Sequence, residues 1–150
     1  MWNDWHPFPV SLPTNLVKAL KVSLDMINQQ GIENRLAFYR QVSEKLIKAI
    51  LVLGLGLFVP RNSTAHGLTA VSTGGKFDAS QFKNFLVKNY NIMIGGSLDE
   101  DMKTTVFRIG HMSTEQCLTR NLAAVISGLG AYMRAQGLEV NLDDAIAQLQ

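Results

Sequence analysis

The sequence predicts an α+β fold: a small antiparallel or mixed sheet of about four strands, helices packed on one side of it, and a long helix at the N-terminal end. Three observations carry this. Apolar residues recur every three or four positions from Leu16 to Leu53; four short apolar runs bounded by glycine, proline or polar turns follow; and the last third of the chain returns to helical spacing. The resulting order, helix, helix, strand, strand, helix, strand, strand, helix, helix, suits a single domain over residues 1–150, with no internal repeat and no dividing linker.

Ser11 or Thr14 can cap the first helix, and Pro13 is tolerated in its first turn, where an N–H would have no partner. Leu16, Leu20, Leu24 and Ile27 form its apolar stripe up to Gly31. A second helix begins at once, with Ile32, Leu36, Tyr39, Leu46, Ile50 and Leu53 inward, Glu33, Arg40, Glu44 and Lys48 between them, and a stop at Gly54 or Gly56. Leu57-Phe58-Val59 before Pro60 is a short strand, 61–67 a loop, and Leu68 to Ser72 the next strand, closed by Gly74-Gly75. Asp78 caps a helix that buries Phe82, Phe85 and Leu86 and runs to about Tyr90. Ile92-Met93-Ile94 is a third strand stopped by Gly95-Gly96. Residues 105–109 are the fourth, with Val106 and Arg108 on one face and Phe107 and Ile109 on the other. Ser113 and Gln116 form a capping box for a long helix carrying Leu118, Leu122, Val125, Leu129 and Tyr132, which ends at Gly137. Asn141 caps a last short helix with Ala145, Ile146 and Leu149 inward.

Composition narrows the function classes. With 47% hydrophobic and 17% charged residues, the chain is greasier than a freestanding domain of its size requires, which points to apolar surface kept for a partner. The net charge of +2 is scattered without blocks of like sign, so no nucleic-acid footprint is present. Cys117 is the only cysteine, which removes intramolecular disulfides and thiolate metal clusters and suits a reducing, cytoplasmic setting. The first residues lack the basic and then apolar pattern of a secretory signal, and the longest apolar run, Ala49 to Val59, is well short of the roughly 18 residues of a membrane span. No membrane partner is expected.

The most informative unit is Ile94-Gly95-Gly96-Ser97 followed by Phe107-Arg108-Ile109-Gly110-His111-Met112. Paired glycines let backbone approach something closely, and an arginine in an apolar strand is costly unless an anion satisfies its fork. Two partners fit Arg108: a ligand carboxylate, or a structural ion pair with Asp99, Glu100 or Asp101. The other reactive types read as structural. Lys76, in Thr73-Gly74-Gly75-Lys76-Phe77, lacks the second glycine and the Ser or Thr of a phosphate loop and is a turn lysine. Cys117 falls in the first turn of a helix without a base nearby in sequence and is a buried thiol. His66 is a loop residue, His111 follows the strand and can stand near a substrate, and no pair of histidines has metal-ligand spacing, so no metal is expected.

These residues carry a resemblance. The stretch Val106 to Met112, preceded by Ile92-Met93-Ile94-Gly95-Gly96, resembles the part of class V, fold-type I aminotransferases in which an arginine salt-bridges the substrate carboxylate. His6-Pro7-Phe8-Pro9-Val10-Ser11 leading into Leu16-Val17-Lys18-Ala19-Leu20 is similar to the family's entry into the helix linking its two domains. Gly31-Ile32-Glu33-Asn34-Arg35 and Leu55-Gly56-Leu57-Phe58-Val59 are similar to the joint and the strand after it. The match covers about residues 5 to 136 and is closest to the alanine–glyoxylate and serine–pyruvate kind.

The resemblance implies the C-terminal small domain of a pyridoxal 5'-phosphate enzyme, with Arg108 binding the substrate carboxylate and Gly95, Gly96, Trp5 and His6 lining the site. The Schiff-base lysine, the acid on the pyridinium nitrogen and the phosphate cup belong to the family's large domain, which these residues do not contain. Where some relatives place a tyrosine and a threonine for the cofactor phosphate, this chain has Asp4 and Pro7. The chain is therefore expected to hold no cofactor alone, to catalyse nothing alone, and to work as a cytoplasmic homo-oligomer with a large-domain partner, on the same longer polypeptide or separately encoded. A non-catalytic dimerisation or partner-binding module that keeps the same fold is the alternative.

Overall fold

The structure, a computed structural model, describes residues 11–150. They fall into two compact units that meet in sequence between Ala37 and Phe38. In the first lies α1 (Thr14–Gln30), a 17-residue helix with no buried side chain. Neither proposed hydroxyl caps it. Thr14 is already helical, its Oγ1 donates to the Leu12 carbonyl at 3.3 Å, and Pro13, which fixes its own φ and has no N–H to satisfy, occupies the cap position. Gly31 ends the helix at φ +80°, a conformation that side-chain-bearing residues rarely adopt. Next comes α2 (Ile32–Val52), whose first residues belong to the first unit and the rest to the second.

Within the second unit Val42, Leu46, Ala49 and Ile50 of α2 are buried, at the spacing of one helix face. The strands are β1 (Gly56–Leu57), β2 (Leu68–Ser72), β3 (Gly95–Gly96) and β4 (Val106–Gly110), fully antiparallel in the order β1-β2-β4-β3. The remaining helices are α3 (Ala79–Tyr90), α4 (Thr119–Ala135) and α5 (Leu142–Ala147). Val71, Phe107 and Ile109 stand on the sheet face that packs into one cluster with Leu46 and Ile50 of α2, Phe82 and Leu86 of α3, Ile126 and Leu129 of α4, and Ala145 of α5. The α+β arrangement with helices on one face is thus the observed one.

The fourth strand is shifted by one residue, to Val106–Gly110, and three other boundaries differ from expectation. The third strand is not 92–94 but Gly95-Gly96 itself. Ile92 and Ile94 pack their side chains on the core without joining a strand ladder, the Ile92 N–H donating instead to the Leu86 carbonyl at 3.3 Å, and the two glycines, expected to end the strand, are the residues that reach β4. The first strand is Gly56–Leu57 rather than 57–59. Ser113 and Gln116 do bond reciprocally, Gln116 N–H to Ser113 Oγ at 3.3 Å and Ser113 N–H to Gln116 Oε1 at 3.2 Å, but they close a turn over 113–117. The long helix starts only at Thr119, with Leu118 at its cap, so Cys117 lies before it and not in its first turn.

Candidate functional site

Arg108 is the central residue of β4, opposite Ala70 of β2 on one side and Gly95 of β3 on the other. Small neighbours across both ladders leave room for a long stem, and the side chain is half-buried. Its Nε donates to the Gly96 carbonyl at 2.7 Å, which uses one of the guanidinium's five N–H donors and leaves the rest of the fork. A Cβ at Gly95 would lie 3.4 Å from both Cβ and Nε of Arg108, so glycine permits the close approach there. At Gly96 a Cβ would meet only the movable end of Lys83; that residue contributes through its carbonyl.

The alternative ion pair is not formed. The Asp99 side chain accepts from the Asp101 N–H at 3.0 Å, Glu100 pairs with Lys103, and Arg108 has no ion pair among the described residues. Instead Arg108 and Gly95 line a groove of about 630 Å³, together with Ile92, Ile94, Gly110 and Gln116. The rest of the lining is aliphatic apart from Tyr90, Glu115 and Asn121, and Arg108 is its one cation. Gln116 was expected to serve only as a cap; that Ser-x-x-Gln spacing was the one signal that marked it. Trp5 and His6 lie outside the described residues.

His111 is placed elsewhere. It has no exposed surface and does not line the groove. Its Nε2 lies 2.9 Å from Thr69 Oγ1, its backbone N–H donates to the Gly67 carbonyl at 2.9 Å, and its Nδ1 has no partner. Burial pushes its pKa below the ordinary imidazole value and outweighs the backbone of His66 and of His111 itself, which favour the charged ring. His111 therefore ties the end of β4 to the start of β2 as a neutral ring. Cys117, also buried, donates its thiol to the His111 carbonyl at 3.2 Å. His66 is an exposed loop residue.

Pyridoxal phosphate needs an amine for its aldehyde, an acid for its ring nitrogen and a cup for its phosphate. The described residues do not fit it. No lysine lines the groove; Lys76 donates to the Gly54 carbonyl at 2.5 Å and Lys45 to the Gln150 carbonyl at 2.7 Å. Nor do three His, Cys, Asp or Glu side chains converge as metal ligands among the described residues. No described helix is long and apolar enough to cross a membrane.

No protein-family model matches the chain. An uncharacterized aminotransferase of Methanocaldococcus jannaschii is 28% identical over 137 residues, which is 88% of this chain and 35% of that protein. Alanine–glyoxylate aminotransferase 1 of Saccharomyces cerevisiae is 34% identical over 109 residues, 70% of this chain and 27% of that protein. The crystal structure of an alanine–glyoxylate aminotransferase from Nostoc sp. matches with a TM-score of 0.78 at 27% identity, over 85% of this chain and 33% of that one. The chain spans about a third of the length of the relatives it matches. In sequence and in fold it is a homologue of the class V aminotransferases and has the fold of their small domain.

Proposed function

We propose that the chain is the C-terminal, substrate-closing domain of a pyridoxal-phosphate aminotransferase acting on small amino acids and 2-oxo acids, alanine or serine with glyoxylate or pyruvate, and that it catalyses nothing alone. The observation that carries this is a half-buried guanidinium, most of its fork unused, in the lining of a largely aliphatic groove. A carboxylate is the small anion whose two oxygens match that fork. Arg108 would hold and orient it. The cofactor, its lysine and its phosphate cup would come from a large domain, on the same longer polypeptide or a separate one, in a cytoplasmic dimer.

Mixing the chain with a relative's large domain that bears the Schiff-base lysine should restore transamination. Arg108→Ala should then raise KM roughly tenfold to a hundredfold, the loss of a charge-assisted bond; an unchanged KM contradicts the role. The chain alone with pyridoxal phosphate should give no stable aldimine absorbance.

One observation favours a second reading, a non-catalytic dimerisation or partner-binding module. Leu16, Leu20 and Leu24 of α1 are 70%, 58% and 49% exposed, an apolar stripe of the kind that marks an interface. A strictly monomeric chain on size exclusion would count against it.

A further inference from the structure

Gln116 is an exposed residue that lines the groove. Its Oε1 accepts two backbone hydrogen bonds, from Met112 N–H at 3.0 Å and Ser113 N–H at 3.2 Å. Only the oxygen of a carboxamide can accept, so those two donors fix which way the group points. Its Nε2 is thereby turned away from the loop and makes no hydrogen bond among the described residues. It lies over Gly110: a Cβ built there would be 3.8 Å from it. Gly110 and Arg108 share one face of β4, because residues two apart on a strand point the same way. Gln116 and Arg108 both line the groove.

The groove therefore offers two separate donors, a cation and an oriented neutral amide. Glu115 stands on the same rim, paired with Arg120 at only 3.6 Å, and its charge disfavours a second anionic group at the amide end.

We propose that Gln116 is a ligand-contacting, specificity-determining residue of this groove. Together with Arg108 it binds a small carboxylate bearing a neutral hydrogen-bond acceptor, such as a hydroxyl, at the far end of a short chain. This rests on the assignment of Arg108 as the carboxylate holder.

The test uses the isotope-labelled chain and two probes differing by one hydroxyl, butyrate and 4-hydroxybutyrate. The expected result is about fivefold tighter binding of 4-hydroxybutyrate, the effect of one neutral hydrogen bond, with the Gln116 amide NH2 resonances shifting only with that probe. Gln116→Glu keeps the acceptor for Met112 and Ser113 but removes the donor, so the ratio should fall to about one. Arg108→Ala should abolish binding of both. Equal affinity of the parent chain for the two probes, a ratio that survives Gln116→Glu, or silent Gln116 resonances overturns the proposal while leaving Arg108 in place. Binding that Arg108→Ala does not change, or no binding of either probe, overturns the carboxylate site and this inference with it. The resonance shift is read on the parent chain, so the outcome does not depend on the variants folding.

Discussion

At position 111 a complete imidazole is enclosed with one nitrogen bonded to Thr69 Oγ1 and the other unpaired. Burial holds it neutral in the folded chain, whereas the unfolded chain takes up a proton as pH falls through the ordinary histidine range. The folded pKa is depressed, so the unfolded state binds more protons in that window. Stability is then fully present above about pH 6.5 and declines below it. Urea midpoints measured between pH 5 and 8 should show this slope, and His111→Gln should flatten it. Thr69→Val, which strips the ring of its remaining partner, should cost about 1–3 kcal/mol at pH 7. Neither feature was legible in the sequence, where His111 read equally well as a substrate neighbour, because its burial depends on how β2 and β4 register. Arg108, by contrast, stood out, since a guanidinium between Phe107 and Ile109 demands a partner. Only its bond to Gly96 had to await the pairing of β3 with β4.

Elements were legible where a local interaction sets them. Asp78 is the clearest case: its Oδ1 accepts from Ser80 N–H at 2.7 Å, Ser80 Oγ–H at 2.5 Å and Gln81 N–H at 3.2 Å, and α3 begins at the next residue. The Ser80 hydroxyl is the main reason its carboxyl sits below the usual value, with the two amides adding to it. Asp78→Ala should lower stability by about 1 kcal/mol, read from a urea melt. The contribution of the carboxylate is present above its unfolded pKa and fades as acid protonates it. Asn91 in the left-handed region at φ 53° closes the same helix. Where pairing across the chain decides, local signals misled. Ile92 and Ile94 have strand-like residue types, yet hydrogen bonding falls on the glycines, whose bare backbone can lie against Arg108. The Ser113–Gln116 pair likewise formed as the spacing suggested but serves a turn, not the helix, and in doing so aims Gln116 into the groove.

For the whole molecule, the helical face of the sheet is held by an aromatic cluster in the 38–150 unit. Phe82 stacks edge-on against Phe107 and Phe77 with ring centroids 5.0 and 5.8 Å apart, and tilted against Tyr132 at 5.4 Å. Phe82→Ala should cost about 3–5 kcal/mol and shift the thermal midpoint accordingly. At the α3–α4 contact, any side chain at Gly128 would run into Leu86, so Gly128→Val should destabilise by about 1–3 kcal/mol, with Leu86→Ala partly restoring the loss. The helical and strand periods and the glycine stops made this layering readable, while the tight seat of Gly128 had no mark in the sequence. What the layering accomplishes is to carry Arg108 on a rigid central strand in the lining of the groove. The side-chain Nε–H resonance of Arg108, followed in the labelled chain while glyoxylate is added, tests that directly. A saturable shift that an equal concentration of an uncharged amide does not reproduce, and that is lost in Arg108→Ala, is the expected result; an Arg108 signal unmoved by any concentration of the acid would contradict it.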